Sequence, residues 1–239
     1  MADFVDLMAV ILVGGQGTRL RPVVSNQPKV MAKVKDRPFL AFLLDYLNSS
    51  GIKCVVLCTG YLGNQIQTQL GSVYGNLRLI YSQESYPLGT AGALRLALPL
   101  LKSDPVLVMN GDSFCQANLK EFFAWHCAQK TEASLLLAQV SDTERFGRVE
   151  IEAHGRICGF EEKNIQGQAG WINAGIYLLS RRLLLTIPDD RPASLEREIF
   201  PLWISRGLFG YQTLGSFIDI GTPEAYATAE RFFAFDAPQ

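Results

Sequence analysis

The sequence predicts an α/β fold, a single domain built on a doubly wound mixed sheet with a β-rich second half. Three observations carry that expectation. The run Leu7 to Val13 is continuously apolar and stops at Gly14-Gly15, as a central parallel strand covered on both faces does. Strand-like, loop and helix-like stretches then alternate as far as Met109, the pattern of a sheet with helices on both faces. From Ala133 onward, strand-like runs follow one another with few helices between them.

In order, Phe39 to Ser50 is a helical pattern closed by Gly51, and Lys53 to Thr59 is a second buried strand. Asn64 is placed to cap a short helix over Gln65 to Leu70, and Leu77 to Tyr81 is a third strand. Thr90 to Leu101 is helical, and Val106 to Met109 is a fourth strand after Pro105. The second half offers strands at Ala133 to Val140, Arg148 to Ile151, Ile157 to Phe160, Trp171 to Leu179 and Phe209 to Thr213. Ser194 to Arg206 is expected as a helix kinked by Pro201, and Pro223 to Phe235 as an amphipathic helix with Thr222 as its cap.

A chain of 239 residues that is 48% hydrophobic can bury a substantial core. Its formal charge of -1, with no Lys/Arg block, leaves no footprint for a nucleic-acid backbone or an anionic membrane. The N-terminus carries acids where a signal peptide is basic, and its first apolar run is far short of the roughly 20 residues that span a bilayer, so a cytoplasmic protein is expected. Five cysteines without a CxxC pair, beside two histidines, argue against zinc and disulfides.

The stretch Leu12 to Lys33 concentrates the chemistry. Gly14, Gly15 and Gly17 let backbone N–H groups close on phosphate oxygens, while Arg19 supplies a forked donor and Lys29 a point charge. A Walker A loop would need a lysine directly after its glycines, and a dinucleotide loop a third glycine where this chain has Leu20. A nucleoside triphosphate is the expected guest. In ligand terms the doubly wound order also favours sites beyond the carboxyl ends of the strands, where Asn110-Gly111-Asp112 falls.

GGxGTRLxP at Gly14 to Pro22, followed by Pro28-Lys29, resembles the sugar-phosphate nucleotidylyltransferases, the nucleotide-sugar pyrophosphorylases. The wording RPVVSNQPKVMAKV is most similar to the D-glycero-D-manno-heptose 1-phosphate guanylyltransferases, although Val30 stands where that family usually has proline. The resemblance runs across nearly the whole chain. It implies a Rossmann-like fold of the nucleotide-diphospho-sugar transferase type, with residues 1–130 mainly binding nucleotide and 131–239 mainly binding sugar phosphate. It also implies a reaction that joins a sugar 1-phosphate to a nucleoside triphosphate and releases pyrophosphate.

That reaction needs no general base, because the attacking phosphate oxygen is already anionic; the difficulty is aligning two polyanions. By resemblance, Arg19 stabilises the β- and γ-phosphates and the leaving pyrophosphate, and Lys29 contacts the α-phosphate. Asp112 and Asp219, the latter in Asp219-Ile220-Gly221-Thr222-Pro223, match the two aspartates that hold Mg2+; alone, Asn-Gly-Asp is also a common turn. Leu12, Gly14, Gly15, Gly17, Thr18, Glu84, Gly89, Thr90 and Gly111 form the implied nucleotide-binding set. Gly89 and Thr90 lie at a strand-to-helix junction where Thr90 could equally cap the helix.

Glu84 stands where family members read the base. A carboxylate only accepts, and guanine offers two adjacent donors, whereas uracil and thymine flank one N–H with acceptors. Glu84 therefore favours GTP, unless it is a solvated loop acid. On the sugar side the resemblance implies Gly147, Glu162, Lys163, Asn173 and Gly175. The stereochemistry of the sugar is unspecified, and a homo-oligomer is compatible with the sequence. A uridylyltransferase and a non-catalytic nucleotide-sugar sensor on the same fold are the alternatives.

Overall fold

The computed structural model describes residues 3–20, 23–24, 27–161 and 168–235. A mixed eight-stranded sheet runs through the molecule. Its strands, in chain order, are β1 (Ala9–Leu12), β2 (Cys54–Thr59), β3 (Val73–Tyr74), β4 (Leu77–Gln83), β5 (Val106–Asn110), β6 (Ala133–Val140), β7 (Gly170–Leu179) and β8 (Leu208–Thr213). The spatial order is β8-β6-β7-β5-β1-β2-β4-β3. The pairs among β5, β1, β2 and β4 are parallel, whereas β7 runs antiparallel to both of its neighbours.

Both faces are covered, which is why β1 reads as an unbroken apolar run. Ala9 and Ile11 pack with Phe39, Leu40 and Leu43 of helix α1 (Phe39–Ser50), and Phe233 of the helix Pro223–Phe235 joins the same core. Met8 and Val10 face the other way, toward Ala91 and Leu94 of a helix over Gly89–Ala97 and toward Leu183, Leu195 and Phe200. Gly51 ends α1 at φ 95, a left-handed position that favours glycine.

Several expectations need correction. Asn64 is not a cap: the helix is Gly63–Leu70, entered through Leu62 at φ 56 with no side-chain cap. The stretch expected as one helix from Thr90 to Leu101 is α-helical only to Ala97 and closes with a 3-10 turn, Leu98–Leu100, since Pro99 has no N–H to continue the ladder. The expected Ser194–Arg206 helix is a π-turn, Leu195–Ile199, followed by an α-turn, Phe200–Ile204, with Pro201 at the change. Thr222 does cap the last helix, accepting Ala225 N–H at 3.3 Å. A helix not anticipated from the sequence, Leu119–Gln129, is capped by Asn118, whose side chain accepts from Lys120 and Glu121.

His126 of that helix is buried, its Nδ1 2.8 Å from Ser134 Oγ, and burial pushes its imidazole down to about 4. An unfolded histidine binds its proton near pH 6.5, so between there and pH 4 the unfolded chain holds a proton that the folded chain refuses. Stability is therefore expected to fall as pH falls through that window. Melting temperatures at pH 7 and 5 should show the drop, and His126→Gln should show a smaller one.

Candidate active site

The strand register lines up the carboxyl ends where the glycine loop leaves the sheet. Leu12 lies opposite Cys58 of β2 and Asn110 of β5, with Val13 N–H donating to Cys58 O at 2.9 Å and Gly111 N–H to Leu12 O at 2.9 Å. A Cβ on Gly111 would sit 2.6 Å from Leu12 O, so this crossing admits only glycine. Gly17 has φ +58, and its Cβ would strike the Lys29 side chain at 2.8 Å. Leu20, where a dinucleotide loop would carry glycine, is instead buried with Val24 and Ala32 and anchors the loop. Thr18 and Arg19 stay exposed on the turn, and nothing lies within 4 Å of a Cβ placed on Gly15.

Lys29 begins a 3-10 turn, Lys29–Met31, whose Val30 and Met31 are buried; Val30, the departure from the usual proline, abuts Gly111. Lys29, its side chain only 10% exposed, holds its ammonium 2.7 Å from Asp112 Oδ2. A two-stranded ribbon brings in the second carboxylate. Ser113–Cys115 pairs antiparallel with Phe217–Asp219, Ser113 opposite Asp219, and Ile220 N–H donates to Asp112 O at 2.9 Å. Asp219 accepts Gly221 N–H at 2.7 Å and lies 3.7 Å from Arg145. Burial and then the neighbouring Asp112 raise the Asp219 carboxyl above its ordinary value, with Lys29 opposing. Two carboxylates this close repel, and the Lys29 ammonium is their counter-charge.

This donor set suits a hard divalent cation. Among the described residues no group of three or more His, Cys, Asp and Glu side chains could form a complete protein cage. Mg2+ asks for less, one or two carboxylates with water and phosphate oxygens completing the octahedron.

Glu84 follows β4, its N–H donating to Thr59 O at 2.9 Å. One carboxylate oxygen accepts Leu88 N–H at 3.1 Å, and the other packs beside Gly14 and Gly60, where a Cβ would come within 2.9 and 2.5 Å of it. Half-buried there, the carboxyl is raised by desolvation. Glu84, Gly14, Gly15, Thr90, Lys29 and Asp112 all line one cleft of about 300 Å³. β1 and β2 lie between the strands that Glu84 and Asp112 follow, so three strand spacings of about 4.8 Å separate those strands.

On the other side of β5 lies β7, where the pairing register with β6 breaks between Asn173 and Tyr177. Gly175 sits in that break at φ +76 and donates to Asn173 Oδ1 at 2.9 Å. Asn173 Nδ2 donates to the Tyr177 hydroxyl at 3.0 Å. Gly147 has φ +77 in a turn closed onto Thr143 O. Glu162 and Lys163 lie outside the described residues, as do Arg21 and Pro22 of the loop motif.

Thr90 does not cap its own helix. Its hydroxyl donates to Glu196 at 2.8 Å and accepts Leu195 N–H at 2.8 Å, while Leu88, at the cap position, offers no side-chain bond. Glu196 also accepts from Ser194 Oγ at 3.0 Å and from the Tyr177 hydroxyl at 3.3 Å. Burial pushes the Tyr177 phenol well above its ordinary value, so it keeps the proton it donates. The sequence carries no signal for this bracing: Tyr177 reads as one more apolar strand residue and Glu196 as one of the acids in the helix expected over Ser194 to Arg206.

Residues 8–234 match the family described as Nucleotidyl transferase. The chain belongs to that family. Its relatives include a D-glycero-alpha-D-manno-heptose 1-phosphate guanylyltransferase from Aneurinibacillus thermoaerophilus, 35% identical over 93% of this chain and 96% of that protein. A mannose-1-phosphate guanylyltransferase from Mycobacterium tuberculosis is 36% identical over 91% of this chain, which spans 62% of that longer protein. Among solved structures, HddC from Yersinia pseudotuberculosis complexed with GMP-PN superposes with a TM-score of 0.83 at 31% identity, covering 95% of this chain and 99% of that one. This nucleotidyl transferase is thus an enzyme with the mixed α/β sheet expected of it. No helix among its described residues is long and apolar enough to cross a membrane.

Proposed function

We propose that this transferase moves GMP from GTP to a sugar 1-phosphate, a D-glycero-D-manno-heptose 1-phosphate, releasing pyrophosphate. The observation that carries the choice of base is Glu84, a half-buried carboxylate lining the same cleft as Asp112 and following a strand three spacings from the one that Asp112 follows. An acceptor-only group there pairs with the adjacent N1–H and 2-amino donors of guanine. The heptose rests on similarity to the Aneurinibacillus protein over nearly its full length, and the guanine on that similarity and the GMP-PN complex. Mannose 1-phosphate is the competing acceptor, favoured by the mycobacterial relative.

The sheet order suits an in-line transfer. Residues 1–130 supply the nucleotide side: Leu12, Gly14, Gly15, Gly17 and Thr18 cradle the phosphates, Gly111 admits them close to the sheet, and Gly89 and Thr90 close the cleft. Arg19 grips the β- and γ-phosphates, and Lys29 the oxygens of the α-phosphate under attack. Residues 131–239 supply the sugar side through Gly147, Asn173 and Gly175, with Glu162 and Lys163. Asp112 and Asp219 would hold Mg2+, which when bound neutralises phosphate charge. The attacking phosphate is already an anion, so these residues bind, align and exclude rather than abstract a proton.

Glu84→Gln tests the base assignment. The amide offers a donor as well as an acceptor, so the preference for GTP over UTP and dTTP in kcat/KM should fall at least about tenfold, the loss expected when one charge-assisted bond is exchanged. An unchanged preference would remove Glu84 from base recognition.

A further inference from the structure

We infer that Arg145 is a substrate-binding residue that captures the phosphate of the incoming sugar 1-phosphate, a role that rests on the transfer reaction proposed above. Arg145 lies in the turn before Gly147, and that turn is held firmly. Phe146 and Gly147 N–H groups both donate to Thr143 O, at 3.0 and 3.1 Å, and Thr143, itself buried, bonds Gln168 O through its N–H and its hydroxyl. Phe146 meets Phe217 edge-on at 5.4 Å, and Phe217 begins the short strand that ends in Asp219. The Arg145 guanidinium lies over the Phe146 ring at 5.3 Å. The turn therefore sets the side chain beside the carboxylate pair.

Its polar contacts are by contrast loose. Arg145 to Asp219, at 3.7 Å, is the longest ion pair among the described residues, against 2.6 Å for Arg191–Glu198 and 3.1 Å for Arg95–Asp189. Its donation to Thr222 Oγ1 is long at 3.4 Å. A guanidinium has five donors in a planar fork matched to phosphate, and this one is 45% exposed, with Nη2 making both of its polar contacts among the described residues. An arginine set in a firm turn, its head making only long polar contacts, is available to an anion.

The sheet order says which anion. Glu84 follows β4, on one side of Asp112, whereas Arg145 follows β6, two strands beyond β5 on the other side. The nucleotide fills the first side. The second substrate must bring a phosphate past Asp112 and Asp219, two like charges, and Arg145 offsets that repulsion where the phosphate enters.

The test uses the full chain with Mg2+, at saturating GTP and varied sugar 1-phosphate, taking whichever sugar the wild type turns over. Arg145→Ala is expected to raise KM for the sugar 1-phosphate about 30-fold, the loss of a charge-assisted fork, with KM for GTP and the melting temperature unchanged. Arg145→Lys should recover part of the loss as a point charge. An unchanged KM for the sugar phosphate would overturn the inference. So would an equal rise in KM for GTP, which would assign Arg145 to the triphosphate, or a fall in kcat alone, which would mean it acts only by holding Asp219. Calorimetric titration of the sugar 1-phosphate onto protein loaded with a non-hydrolysable GTP analogue separates the two proposals. Wild-type binding that Arg145→Ala abolishes supports Arg145 even if turnover is absent, and no wild-type binding at all defeats both.

Discussion

Asp112→Asn is expected to lower turnover by about a thousandfold or more while the protein remains folded. The asparagine keeps the shape of the side chain, and its Oδ1 can still accept from Lys29, 2.7 Å from Asp112 in the native site. What disappears is one of the two negative charges that the short ribbon holds together. Stability should change little, because the substitution also relieves the repulsion that raises the Asp219 carboxyl. Melting temperature would be measured beside steady-state pyrophosphate release. Near-normal turnover would remove Asp112 from the reaction, and a collapsed melting temperature would show that the pair is structural.

Arg19→Ala should cost turnover by about a hundredfold to a thousandfold, the range seen when one preorganised donor to developing charge is removed. The structural context makes this a sharp test. Arg19 is exposed on the loop and has no ion pair or hydrogen bond among the described residues, so its removal should leave the melting temperature untouched. Turnover is then the only quantity that moves. Arg19→Lys should restore part of it, since a point charge replaces the fork but not its two-point geometry. Turnover within threefold of wild type would mean that the loop only shapes the cleft and that charge comes from elsewhere.

Much of the architecture was legible because it follows from burial. The strands Ala133–Val140 and Arg148–Ile151 appear with the boundaries read from their apolar runs, and β1 reads as unbroken because Ala9 and Ile11 pack on one side and Met8 and Val10 on the other. Local signals competed less well with tertiary contacts. Thr90 looked like a cap but spends its hydroxyl on Glu196, a partner brought by a distant turn. The helix Leu119–Gln129 is not among the expected elements although its signals are present, with Asn118 as cap, Glu121 bonded to it, and Leu119, Phe122, Phe123 and His126 on the buried face.

The site was legible by residue type more than by geometry. Family wording singles out Asp112 and Asp219, but what joins them is a ribbon of three residues on each side, too short for any periodicity to reveal. Arg145 carried no motif at all. Its interest comes from a stack on Phe146 and a loose approach to Asp219, both set by how the turn after β6 folds back.

The activity proposed for this chain joins a nucleotide to a sugar 1-phosphate with guanine as the base. Pyrophosphate release with Mg2+, over GTP, UTP, dTTP, ATP and CTP crossed with heptose, mannose and glucose 1-phosphates, tests it most directly. The expected result is release that requires a sugar 1-phosphate, is fastest with GTP and D-glycero-D-manno-heptose 1-phosphate, and leaves a GDP-sugar. Release fastest with UTP would contradict the reading of Glu84, and no release with any pair, beside tight binding of a nucleotide sugar, would mark the chain as a sensor on this fold.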